Sequence, residues 1–324
     1  MKQQSGSALL LSLMVLALVS GIATSLLMSV QNEQSVIARI QMNSDVRQQL
    51  LGGEAWAQDW LIKEGLVQDI SSGNSFAVIP TSSLVVHQVF ETEAGSLDIS
   101  LFDLQACINI NRLANTNSVE ITKQRLTKLS EYIGIDKGWI SVAQDWLDND
   151  QNLASGQGRE DAFYLSKEEP YRTSRSLILS GTEWSLLDIP QASIALLAPY
   201  ICVLPESMGV NINRAPDMLV KSYLPTINTE QLTALNDIRA VGGFDALDDF
   251  IEDDAFKSLK LEEQDWSINT RFISVFSKLT TEDGEYWLHS QLSRDKDNKV
   301  KAFYRSFAPL DFYSKVKMNI ESGM

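Results

Sequence analysis

The stretch DWLDNDQNLASGQGREDAFY places five carboxylates, Asp145, Asp148, Asp150, Glu160 and Asp161, around glycines 156 and 158. Oxygen-only donors at this density suit a hard divalent cation, since calcium takes about six to eight oxygens at roughly 2.3–2.6 Å. Asp148 and Asp150 at i, i+2, followed by the adjacent pair Glu160 and Asp161, can converge on such an ion. The EF-hand template does not fit, because the sixth loop position lacks glycine and the twelfth lacks glutamate. The plain alternative is a solvated acidic loop. A hydrolase would need two carboxyls about 5–9 Å apart across a cleft. No nucleophile motif, phosphate loop or metal-histidine cluster accompanies these acids, so no enzyme is expected.

The other reactive side chains offer less. His87 and His289 stand far apart with no cysteine or second histidine near either, which leaves little for zinc or a hydrolase triad. Both are expected as partly exposed strand residues. Cys107 and Cys202, the only cysteines, lie in the apolar contexts QACININ and YICVLPE. Outside the cytoplasm they can pair, closing a loop long enough for a disulfide to contribute up to about 4–5 kcal/mol; inside it they would be buried thiols. ALNDIRAVGGFDALDDFI resembles a helix-hairpin-helix whose loop amides around Gly242 and Gly243 suit a phosphate. The surrounding Asp237, Asp245, Asp248, Asp249, Glu252, Asp253 and Asp254 would repel DNA, so the element reads as a packing module. A net charge of −15 without any Lys/Arg block excludes nucleic acid as a partner on the same grounds.

These residues need elements to hold them. From Gln3 to Asn32 there is no charge, and Ala8 to Val30 is almost wholly apolar, longer than the roughly 20 residues that span a bilayer. Lys2 before the run puts the amino terminus in the cytoplasm and the body beyond the membrane. Cleavage at the small-x-small site Gly21-Ile-Ala23 is the secretory alternative. Apolar residues at three- to four-residue spacing continue the helix to about Leu61, with Gly52-Gly53 marking a bend or a close contact. LVVHQVF and SLDISLFDLQACININ then read as strands, as do RFISVFSKL, EYWLHSQL and KVKAFYRSF near the end. In EYWLHSQL, Tyr286, Leu288 and Leu292 form the apolar face, with Trp287, His289 and Gln291 opposite. Between Leu113 and about Asn269 the pattern is helical.

A short leader ending in Gly6, before a hydrophobic helix that becomes amphipathic, resembles the class III signal of type IV pilins and type II secretion pseudopilins. In that family a prepilin peptidase cuts after the glycine and methylates the new amine, here Ser7. The fifth mature position, an acid in most members, is Leu11, and the K-type minor pseudopilins (the GspK family) characteristically lack the acid. Asp103-Leu104-Gln105 with Asn109-Ile110-Asn111 and Leu113, and Leu204-Pro205 with Asn211-Ile212-Asn213-Arg214-Ala215, are similar to Asn-x-Asn stretches of that family. Trp146, Asp148, Asp150, Gly158, Glu160, Asp161 and Tyr164 match its calcium-associated region.

The resemblance implies an α+β, pilin-like fold: a long amino-terminal helix packed on an antiparallel sheet, with a large all-α insertion. The segments are a leader at 1–6, a transmembrane helix at 7–30, the amphipathic helix and first strands at 31–112, a helical insertion at 113–270 in two subdomains, and closing strands at 271–324. It implies a single-pass inner-membrane protein with a periplasmic body and a Cys107–Cys202 disulfide. It further implies structural calcium on Asp148, Asp150, Glu160 and Asp161, and a tip complex with minor pseudopilins I and J. Leu11 marks a subunit able to stand at the fibre end, because an acid at that depth costs several kcal/mol unless paired; the plain alternative is one more lipid-facing residue. A membrane-anchored binding or adhesin domain is the rival function.

Overall fold

The computed structural model describes residues 14, 16, 44–63, 84–206 and 208–308, and the chain divides into two compact units, Met1–Leu51 and Gly52–Met324. Residues 44–63 are helical, and the part from Gly52 on, α1, belongs to the second unit. In chain order there follow β1 (Leu84–Thr92), β2 (Gly95–Asp103), β3 (Ile108–Asn109), α2 (Val119–Ile133), α3 (Trp139–Leu147), α4 (Asp161–Tyr164) and α5 (Gln191–Leu197). Then come β4 (Ile201–Cys202), β5 (Val210–Asn211), α6 (Asp217–Tyr223), α7 (Thr229–Ala240), α8 (Leu247–Ile251), β6 (Trp266–Ser267), β7 (Phe272–Thr281), β8 (Gly284–Arg294) and β9 (Val300–Ser306).

β1, β2, β7, β8 and β9 form one antiparallel sheet in that order. Two-residue turns, Glu93-Ala94 and Glu282-Asp283, join two of its three hairpins, each followed by a glycine at positive φ, Gly95 at 145° and Gly284 at 146°. The register lines up Ile99, Ser277 and Leu288 on one face with Leu97, Leu101, Val275, Leu279 and Leu292. Period-two alternation of the sequence puts them there.

α1 lies on this face. Gly53, Ala57 and Leu61, four residues apart, are its buried stripe, and a Cβ on Gly53 would stand only 2.6 Å from Ser277 Oγ. Beside it, the buried Glu54 accepts from Ser290 Oγ at 2.6 Å and from Arg305 Nε and Nη2 at 2.7 and 2.6 Å. Burial raises the Glu54 carboxyl pKa, but the hydrogen bonds from Arg305 and Ser290 outweigh it and hold the group below its ordinary range. Arg294 Nη1 donates to Leu61 O at 3.1 Å, satisfying a carbonyl in the last turn of α1.

The opposite sheet face is not left to solvent as the alternation of β8 implied. His289 and Gln291 are 8% and 5% exposed, His289 stacking on Phe276 at 4.3 Å with its Nε2 2.8 Å from Ser274 Oγ. Tyr304 on this face is bonded by Ser180 of the inserted segment, which explains the covering. Only His87 is a partly exposed strand histidine, its side chain 46% accessible.

Residues 104–271 leave and re-enter the sheet between the neighbouring strands β2 and β7. The fully buried Asp103 closes the two crossings, accepting from Gln105 N at 2.7 Å, Asn211 Nδ2 at 2.8 Å and Thr270 Oγ1 at 2.7 Å. Just inside, Cys107 is disulfide-bonded to Cys202, with Leu104, Leu204 and Phe272 around the bridge. The insertion is not purely helical, because β3 pairs parallel with β4 and β5 with β6, next to the two Asn-x-Asn elements. One continuous core joins α2 and α3 to α6, α7 and α8, including Leu126, Trp146, Leu219, Leu235 and Phe250.

The expected single-pass membrane topology is corrected: among the described residues no helix is long and apolar enough to cross a membrane. The described helical stretch 44–63 carries Asp45, Arg47, Glu54, Asp59 and Lys63, and α2 spans only 15 residues. Apart from Met14 and Leu16, the run 7–30 lies outside the described residues, as do Gly6, Ser7 and Leu11.

The paired glycines of α1 separate conformational from packing effects. Gly52→Ala meets nothing within 4 Å and should stabilise by up to about 1 kcal/mol through helix propensity. Gly53→Ala should instead destabilise by about 1–3 kcal/mol from overpacking. Chemical denaturation of the two variants checks the opposite signs.

Candidate cation site

α3 ends in the acidic stretch. Asp145 sits in its last turn and Asp148 is the residue that caps it, so the two fall one turn apart on one side. The chain then loops back, and Glu160 caps the start of α4. Asp145, Asp148 and Glu160 each present a carboxylate oxygen within 4.8 Å of the others. Gly158 lets the returning backbone pass close to Asp145, since a Cβ there would lie 2.0 Å from Asp145 Oδ2.

One oxygen of each acid is short of donors. Asp145 Oδ1 accepts from Ala154 N at 2.8 Å and Glu160 Oε2 from Gln151 Nε2 at 3.0 Å. Asp145 Oδ2, Asp148 Oδ1 and Glu160 Oε1 are buried without a hydrogen-bond partner. Burial first, and then mutual repulsion, pushes Asp148 up to about 6 and Glu160 up to about 7. Asp145 is raised chiefly by burial, despite bonds from the backbone. Three converging acceptors with no donor call for a shared proton or a cation.

The structure redistributes the expected ligand set. Asp148 and Glu160 come together, and Asp145, outside that set, joins them; its i, i+3 spacing to Asp148 on α3 was the available signal. Asp150 is exposed, its Oδ1 accepting from Asn152 N at 2.7 Å. Asp161 is a correction: it turns away to accept from Thr173 N and Oγ1, both at 3.0 Å, and to pair with Arg175. Burial raises its pKa, and these partners outweigh that and lower it. Arg159 does not compete for the acids, because its guanidinium pairs with Asp188 at 3.2 Å and lies over Phe163.

The other singled-out motifs are structural corners. Asn109 exchanges two amide bonds with the backbone of Leu204, Asn111 two with Ile178 and Asn213 two with Phe244, each side chain standing in for a strand. The helix-hairpin-helix loop spends its Phe244 amide on Asn213, and Gly243, at φ 89°, is where that asparagine approaches.

A model of the family described as Type II secretion system (T2SS), protein K matches residues 106–206, a span that holds both cysteines and the acidic cluster. Type II secretion system protein K of Pseudomonas aeruginosa is 28% identical over 316 residues, 93% of this chain and 92% of that protein. Over most of its length the chain is thus similar to type II secretion system protein K. The protein K of Aeromonas hydrophila is 28% identical over 71% of this chain and 74% of its own length. Among solved structures, a chain of the GspK-GspI-GspJ complex from enterotoxigenic Escherichia coli shares the fold, with a TM-score of 0.64 at 17% identity, covering 83% of this chain and 99% of that one. The α+β architecture of helix, antiparallel sheet and large helical insertion is thus shared with that chain at the level of its elements.

The raised carboxyls set a pH dependence. Unfolded Asp and Glu titrate near 4, so protons bind the folded cluster more tightly and their stabilisation is complete below that value. It is lost as pH rises through about 6 and 7. In chelator, the thermal midpoint should therefore fall between pH 5 and pH 8, and Asp148→Asn should flatten that fall.

Proposed function

We propose that this chain is a structural subunit, not an enzyme, that works as a minor pseudopilin at the tip of a type II secretion pseudopilus. In this reading it caps and initiates the fibre with minor pseudopilins I and J, and so supports export of folded proteins across the outer membrane. The observation that carries it is the fold likeness to a chain solved in a GspK-GspI-GspJ complex, over nearly that whole chain. The inserted residues 104–271 add a steric argument, because so large a body between two neighbouring strands obstructs stacking of further copies along a fibre. The disulfide suits an oxidising compartment. Processing after Gly6, a methylated Ser7 and the end-of-fibre role of Leu11 belong to the same reading.

Calcium is its structural cofactor. Asp145, Asp148 and Glu160 would hold the ion, which supplies the positive charge that their unpartnered oxygens lack; Asp150 lies at the rim. The donor set is all oxygen, as calcium prefers.

Co-expression of the full chain with the I and J pseudopilins of the same bacterium should yield a ternary complex by size exclusion; elution of the chain apart from both would overturn the tip assignment. Mass spectrometry of the mature chain should find N-methyl-Ser7, whereas an intact Met1 or a start at Thr24 would refute the processing. Calorimetry after chelation should show calcium uptake, with stabilisation of about 2.7 kcal/mol at a 100-fold excess over Kd. Asp145→Asn should abolish it.

A further inference from the structure

Two separate segments supply the acidic cluster: the end of α3, with Asp145 and Asp148, and the start of α4, with Glu160. One residue outside both grips each of them. The Arg175 N–H donates to Trp146 O at 3.1 Å, beside Asp145, and the Arg175 guanidinium pairs with Asp161, the neighbour of Glu160. Arg175 does this at φ 49°, a left-handed conformation unfavourable for a residue with a side chain. Its surroundings must over-determine that conformation for it to persist.

We infer that Arg175 is the positioning residue of the cation site: by spanning the Trp146 carbonyl and the Asp161 carboxylate, it sets the separation of Asp145 and Asp148 from Glu160. The inference rests on the reading of the cluster as a calcium site. Asp161 is then its anchor, which accounts for an acid next to Glu160 that faces away from the cluster. Thr173 steadies the anchor through both its N–H and its hydroxyl, leaving Asp161 Oδ2 for the guanidinium. The arrangement resembles the outer partners that orient metal-bound carboxylates, whose loss commonly weakens metal affinity about 10- to 100-fold.

Arg175→Gly tests this in the full chain, because glycine adopts the left-handed backbone freely, keeps the N–H on Trp146 O and deletes the side chain with its guanidinium. Affinity is read by calcium calorimetry and by terbium luminescence excited through Trp146, alongside the thermal midpoint in chelator. The expected result is affinity lower by about 10- to 100-fold with an unchanged or higher metal-free midpoint. Asp161→Asn should weaken binding comparably, and the double variant should bind no more weakly than Asp161→Asn alone, as expected of two residues acting as one unit. Wild-type affinity in either single variant overturns the positioning role, as does a loss of affinity that only parallels a fall in the metal-free midpoint. If Arg175→Gly does not fold, Asp161→Asn gives the same reading. Absence of binding by the wild-type chain removes the calcium reading itself and this inference with it.

Discussion

The neck at Asp103 is the constraint on which the rest of the fold depends. β2 and β7 are hydrogen-bonded neighbours, so the residues between them must start and finish within one interstrand spacing, about 4.8 Å. Closing a loop of residues 104–271 costs on the order of 4–5 kcal/mol in chain entropy alone. Three buried hydrogen bonds to Asp103 and the Gln105 side chain, which accepts from Arg271 N at 2.6 Å and donates to Ser267 Oγ at 3.0 Å, hold both crossings together. Burial pushes the Asp103 carboxyl up, while Thr270, Gln105 and Asn211 act the other way. The disulfide inside the neck shortens the loop left to close. With the ends fixed, the sheet assembles as though the insertion were a turn.

The insertion repeats one device. ININR at 108–112 and VNINR at 210–214 each run from a two-residue parallel pair into a pair of asparagines. In both, the second asparagine matches the N–H and C=O of one distant residue, Ile178 in one case and Phe244 in the other. A side-chain amide thus replaces a missing strand, and short segments gain direction without a sheet of their own. Helices then radiate from the two corners into a shared apolar core, and one of them, α3, carries two of the three clustered acids.

Local pattern made much of this readable. Period-two runs gave the strands and the apolar face of β8. What the pattern missed was set by partners far along the chain. Whether Asp145 or Asp161 enters the cluster depends on Thr173 and Arg175, a dozen or more residues beyond Asp161, and Asp161 looks like its neighbour Glu160 until they are seen. His289 looked half-exposed because the segment that covers its sheet face comes from around Ser180. The parallel pairs are two residues long, too short for any periodicity to show.

Cys107 and Cys202 also determine how the chain carries tension. A pull that enters along β2 crosses the bridge and continues from Cys202 toward β5 and β7, bypassing the 95 residues of separation between the cysteines. The acidic cluster, Arg175 and the Asn111–Ile178 corner all lie within that bypassed span. Load along the chain would therefore pass through the neck and the second corner, while the acidic cluster lies on a covalent side loop outside that path.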